Sequence, residues 1–220
     1  MRVTPAVPAS TTDQVWYVAY GSNMNLDRLG FYIGGGQPVG SSLTYPGCRD
    51  QRMPGECRPV MLPGQLYFAL EAVAWTGGMG FYDPAGLGQI PARAYRISTG
   101  QLSDIISQEM CQEPGFDRDI SEALIHGRME FGPGCYETML RVGYLDGLPM
   151  LTFTAPWRAA DQLPNRPAGV YLRIILTGLM EAHGWSVEEA AGYLSSCSGA
   201  SGHWSAEDVV ALLVREGVPA

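Results

Sequence analysis

Val15-Trp16-Tyr17-Val18-Ala19-Tyr20-Gly21-Ser22-Asn23-Met24 is the stretch around which the rest of the chain is organised. Bulky, apolar residues suited to a buried strand run into Gly-Ser-Asn, and Asn25-Leu26-Asp27-Arg28-Leu29 then carries a helical pattern. A strand–turn–helix junction of this kind aims backbone N–H groups at one point, which suits a carboxylate or a developing oxyanion. Gly21 admits close approach to the backbone, while Ser22 and Asn23 add side-chain hydrogen-bonding groups. Most Gly-Ser-Asn turns after strands are only turns, so the junction marks a site only in company with other signals.

At 220 residues, 46% hydrophobic and 16% charged, the chain suits one large domain, or one domain with an appendage, and it buries a real core. A formal charge of −8 argues against a nucleic-acid partner. All 14 basic residues are arginine. With no lysine there is no P-loop lysine, no Schiff base to pyridoxal phosphate and no Ser–Lys dyad. Cys48, Cys57, Cys111, Cys135 and Cys197 are odd in number and lack C-x-x-C spacing, which suggests neither a disulfide framework nor a zinc knuckle. Residues 1–13 lack the apolar core of a signal peptide, and the apolar segment 170–180 is short and carries Arg173. The expectation is a soluble, cytoplasmic protein with no membrane partner.

Gly34-Gly35-Gly36 lacks the spacing of a dinucleotide loop, and residues 40–63 read as long loop or irregular strand. Strands are expected at 66–70, 77–82, 135–142 and 150–154, with a half-exposed one at 92–97. Residues 122–130 fit either a short helix or a loop. Pro167 reads as the first-turn proline of a helix with the stripe Tyr171, Ile174, Ile175, Gly178 and Leu179, closed by Gly184. Capping boxes at Ser186/Glu189 and Ser205/Asp208 start two more helices, the last running to Arg215, with residues 195–202 as a linker between them.

Ser98 and Gln101 form another capping box, and the helix behind it is the second place of interest. Leu102, Ile105, Ile106 and Met110 make one apolar stripe, and Glu109 falls at i+7 in the same series. Asp104 lies off the stripe and is expected in solvent. A carboxylate on an apolar face is either paired or raised in pKa by lost hydration, and a raised pKa is what a general base near neutral pH needs. The alternative is that Glu109 sits at the stripe's edge and reaches solvent or an arginine. Glu113 is the rival carboxylate, but Pro114 disfavours helix at the residue before it. His126, His183 and His203 are far apart and lack ligand spacing, and no G-x-S-x-G elbow is present. Cys135 is a candidate nucleophile, with an inert buried thiol as the alternative.

Together these segments resemble the γ-glutamylcyclotransferase-like family, including its bacterial branch that removes γ-glutamyl protecting groups. Tyr20-Gly21-Ser22-Asn23 looks like that family's substrate-binding loop, and residues 102–109 resemble the segment carrying its catalytic glutamate, which places Glu109 there. Gly134-Cys135-Tyr136 is similar to a glycine–any–tyrosine step whose tyrosine lines the pocket. Pro167-Ala168-Gly169-Val170-Tyr171 with Ile174 and Gly178 looks like the family's late helix. The order holds over residues 15–193. Phe153 departs from the pattern where some members have a pocket tyrosine, and the last helix and residues 40–63 have no counterpart.

The resemblance implies an α+β fold, a small mixed β-barrel surrounded by helices, with a flexible tail at 1–14, a catalytic domain at 15–198 and an appended helix at 199–220. It also implies a metal-independent, cofactor-free enzyme that cleaves a γ-glutamyl amine or peptide by attack of the substrate's own α-amine. Glu109 is then catalytic, and Tyr20, Gly21, Ser22, Asn23 and Tyr136 bind substrate. The alternatives are a non-catalytic small-molecule binder on the same fold and a Cys135 amidohydrolase.

Overall fold

The computed structural model describes residues 13–38, 41–72 and 75–214. Most of the expected tail therefore lies outside the described residues, and Gln14 already opens β1 (Gln14–Ala19). A 3-10 turn, Ser22–Met24, leads into α1 (Leu26–Gly34), capped by the Asn25 side chain. There follow β2 (Cys57–Pro63), β3 (Gln65–Ala69), β4 (Met79–Asp83), β5 (Gln89–Ser98) and α2 (Thr99–Glu109). The chain then runs through α3 (Ser121–His126), β6 (Arg128–Glu130), β7 (Thr138–Leu145) and β8 (Leu148–Thr154) to α4 (Gly169–His183), α5 (Val187–Ser196) and α6 (Ala206–Ala211).

The architecture is α+β, with a mixed six-stranded sheet in the order β2-β5-β1-β8-β7-β6. All neighbours are antiparallel except β1 and β8, which pair in parallel at Trp16↔Met150 and Tyr17↔Leu151. The expected barrel is corrected here: the sheet is open, and β3–β4 form a separate two-stranded sheet. The open edges of the six-stranded sheet are β2 and β6, and the hairpin extends neither; its side-chain link to the sheet includes the Thr154 hydroxyl at the end of β8 donating to the Tyr82 carbonyl (2.5 Å). The hairpin is held instead by isolated bridges to Pro164, Pro167 and Ser198.

Several local readings hold. All three capping boxes form, and Gly184 ends α4 in the left-handed conformation. Others are corrected by long-range packing. Strand β5, paired on both edges by β2 and β1, is buried on both faces from Ile90 to Tyr95, because α2, α4 and β3 pack against it; Arg93, in its middle, is tied to the Met24 carbonyl (3.0 Å) and Glu181 (3.2 Å). Asp104 is not in solvent: it is 1% exposed and accepts from the Arg49 amide (2.8 Å) and guanidinium (2.9 Å). The loop carrying Arg49 covers α2, which local periodicity could not reveal. Pro167 precedes the N-cap Ala168 and lies outside the helix, its carbonyl accepting from the Trp204 indole (3.0 Å).

Residues 195–202 are not a linker. α5 continues to Ser196, Ala200 is buried, and the Ser198 carbonyl accepts from the Phe68 amide (2.8 Å). Helix α6 ends at Ala211, and Arg215 lies outside the described residues. Among the described residues no helix is long and apolar enough to cross a membrane.

Candidate active site

The turn after β1 is held from two sides. From β5, the Tyr95 hydroxyl reaches the Asn23 and Met24 carbonyls (both 2.9 Å), beside the Arg93 bond to Met24. From α4, Glu181 accepts from the Asn25 side chain (2.8 Å) and the Leu26 amide (3.1 Å). Within the turn the first bond runs from the Met24 amide to the Gly21 carbonyl (3.0 Å), so the Ser22 and Asn23 amides take no bond inside it.

Gly178 lets α4 come this close. A β-carbon there would lie 2.6 Å from the Asn25 nitrogen and 2.9 Å from Met24, both backbone. Gly178→Ala is therefore expected to destabilise by about 1–3 kcal/mol through overpacking, lowering Tm by roughly 2–4 °C per kcal/mol. Turnover should fall as well, since the turn is pushed out of place. Calorimetry and an activity assay check this; unchanged values would mean the helix yields freely.

The turn opens onto a cavity of about 290 Å³, at the lower edge of the range for small-molecule pockets. Tyr20, Gly21, Ser22, Asn23, Glu109 and Tyr136, the residues singled out from the sequence, all line it. The Tyr20 hydroxyl is engaged with the Phe153 carbonyl (2.8 Å), leaving its ring as wall. Phe153 also lines the cavity and supplies no hydroxyl. Tyr136 stacks on Phe81 (4.9 Å between centroids) and donates to the Gly80 carbonyl (2.6 Å), while the Gly80 amide donates to the Tyr171 hydroxyl (3.3 Å).

Glu109 ends α2 and is half-buried. Lost hydration raises its pKa, opposed by a hydrogen bond from Tyr32 and the positive charge of Arg28. Burial also raises Tyr17, Tyr20, Tyr32, Tyr136 and Tyr171, the last to about 12, so these hydroxyls stay protonated. Burial and the nearby Glu109 push the Cys135 thiol up as well. Glu113, the rival base, is exposed in the loop after α2.

Sequence reading missed Arg28, Tyr32, Gln108 and Tyr171 as cavity residues. Arg28, Leu29, Tyr32 and Ile33 form the buried face of α1, so Arg28 is a charge on an apolar stripe, the same signal that marked Glu109. Among the described residues, no group of three or more His, Cys, Asp or Glu side chains is placed to hold a metal ion.

No family model matches the chain. It is 31% identical over 215 residues to Histone deacetylase 5 of Arabidopsis thaliana; the match takes in 88% of this chain and 33% of that protein, so the chain spans about a third of its relative's length. Among solved structures it is similar to a gamma-glutamyl cyclotransferase (TM-score 0.49, 15% identity, 90% of this chain and 98% of that one). It is also similar to an uncharacterized protein from Homo sapiens (TM-score 0.48, 15% identity, 90% and 99%) and to YkqA from Bacillus subtilis (TM-score 0.44, 17% identity, 79% and 51%).

Proposed function

We propose that this chain is a γ-glutamylcyclotransferase-like enzyme that converts a γ-glutamyl amide into 5-oxoproline and a free amine. The observation carrying this reading is a single one: the carboxyl of Glu109, made more basic by burial, shares one small cavity with the turn at Gly21, Ser22 and Asn23.

In the first step Glu109 takes a proton from the substrate's α-ammonium group. The freed nitrogen attacks the γ-carbonyl carbon, and negative charge develops on the carbonyl oxygen, where turn amides stabilise it. Collapse breaks the amide C–N bond as protonated Glu109 gives its proton to the departing nitrogen; the carboxylate then takes the second proton from the ring nitrogen, leaving the neutral lactam, and passes it to the released amine, which departs as an ammonium. One N–C bond forms, one breaks and both protons lost by the α-nitrogen end on the released amine, so the balance closes without cofactor or redox partner. Nucleophile and electrophile share one molecule, so holding it in the cyclising conformation supplies much of the catalysis.

The partner is then a small γ-glutamyl amine or peptide, with no role for nucleic acid or a membrane surface. Unpaired cysteines accord with a reducing, cytoplasmic setting. A pure binding module would have little use for a carboxylate whose burial disfavours its charged form.

A cysteine hydrolase would use Cys135, but its thiol is pushed up rather than down and no histidine lines the cavity. Cys135→Ser is accordingly expected to keep most of the turnover, measured as amine release. Abolished turnover in a folded variant would favour the hydrolase. A panel of γ-glutamyl amines tests the assignment itself: at least one should release amine and 5-oxoproline together, and none doing so would overturn it.

A further inference from the structure

Arg28 is 5% exposed, and its guanidinium lies over the rings of Tyr45 (4.5 Å) and Tyr32 (4.9 Å) at the cavity wall. One terminal nitrogen, Nη2, bonds the Tyr45 hydroxyl. The Nε and Nη1 groups are buried with no hydrogen-bond partner. No ion pair among the described residues includes Arg28. A buried guanidinium in no ion pair and with idle donors is costly, and aromatic faces and the charge of Glu109 in the same cavity offset only part of that cost. Unmet polar groups also occur on the opposite sign: Gln108 donates through Nε2 to the Tyr32 carbonyl (2.9 Å) and leaves Oε1 buried without a partner, as does Asn23 with Oδ1. Both residues line the same cavity.

We infer that Arg28 binds the α-carboxylate of the substrate, and that the cavity therefore selects a free amino-acid head: a carboxylate at Arg28, with its adjacent ammonium set among Glu109, Gln108 and Asn23. The free donors match a carboxylate, and charge-assisted bonds in a desolvated wall are the strong kind. The free acceptors match ammonium N–H groups. This deepens the cyclotransferase reading and rests on it. It also divides the labour: with the carboxylate at Arg28, the Ser22 and Asn23 amides are left for the developing oxyanion. Esterified or amidated α-carboxyl groups are then poor ligands whatever amine they carry.

Two probes differing only in the carboxylate, 5-oxoproline and 2-pyrrolidinone, test it by calorimetric titration. The wild type should bind 5-oxoproline roughly 10- to 100-fold more tightly, the range expected for hydrogen bonds to a charged group. Arg28→Gln should erase that preference, and Arg28→Lys, keeping the charge without the planar fork, should restore part of it. Circular dichroism establishes that each variant is folded; if the glutamine variant is not, the lysine variant and the wild-type ratio carry the test. No carboxylate preference in the wild type, or a preference unchanged in a folded Arg28 variant, overturns the inference. Turnover of a γ-glutamyl amide, followed in the same preparations, separates the two claims. Turnover without a carboxylate preference rejects Arg28 alone, whereas preference without turnover rejects the enzyme and leaves a binder.

Discussion

Glu109→Gln is expected to lower turnover by at least about 100-fold, the low end of what a positioned general base contributes, while the chain stays folded. The swap keeps the shape of the side chain and removes the proton acceptor. A stability change accompanies it, with a definite sign. Burial raises the folded-state pKa of Glu109. At pH below the unfolded-state value both states hold the proton, and the group imposes no charge penalty on the fold. As pH rises through the raised folded value, the carboxyl must ionise in its desolvated site and the folded state loses stability. Glutamine escapes this loss. The variant should therefore melt above the wild type at neutral pH, and the gap should close as pH falls below the ordinary glutamate range. Thermal melts across pH and single-turnover assays check both halves. A variant that keeps a tenth or more of the activity would remove Glu109 from its role and make Glu113 the candidate, despite its exposed loop position. The acid limb of kcat/KM should likewise lie above the ordinary glutamate range. Arg28 and Tyr32 from α1 hold it down against the dominant effect of burial.

Capping the substrate's α-amine as its N-acetyl derivative is expected to abolish cleavage. The cap removes the nucleophile's available lone pair and replaces the proton that Glu109 must take with an amide. An intramolecular nucleophile supplies about 7–11 kcal/mol of a barrier of this kind, and nothing in the cavity substitutes for it. A hydrolase would tolerate the cap far better, since its nucleophile comes from water or from the enzyme. Comparing amine release from capped and free substrates by mass spectrometry decides the point. Equal rates would contradict intramolecular attack.

What could be read from the sequence was what local chemistry decides. Ser98/Gln101, Ser186/Glu189 and Ser205/Asp208 satisfy helix N-termini through residues three apart, and all three boxes form. The junction from β1 into α1 was legible for the same reason. Distant partners decide the rest. Asp104 is buried because Arg49, far away in sequence, folds over α2. The sheet stays open because β2 and β6 remain its edges and the β3–β4 hairpin pairs with neither. Within the site, Glu109 stood out as a charge on an apolar helix face. Arg28 gave the same signal on α1, beside Leu29, Tyr32 and Ile33, and went unread, because an arginine at the edge of so short an apolar stripe also describes a surface helix. The scaffold that holds the turn, Tyr95 and Arg93 from β5 with Gly178 and Glu181 from α4, meets only in the folded chain.

The most direct measurement is product analysis of a γ-glutamyl amide turned over in ¹⁸O-labelled water. Attack by the substrate's own α-nitrogen predicts 5-oxoproline as the primary product, free of label, in equal amount to the amine released. Labelled glutamate as the primary product would mean that water enters the bond-breaking step, and would contradict the account.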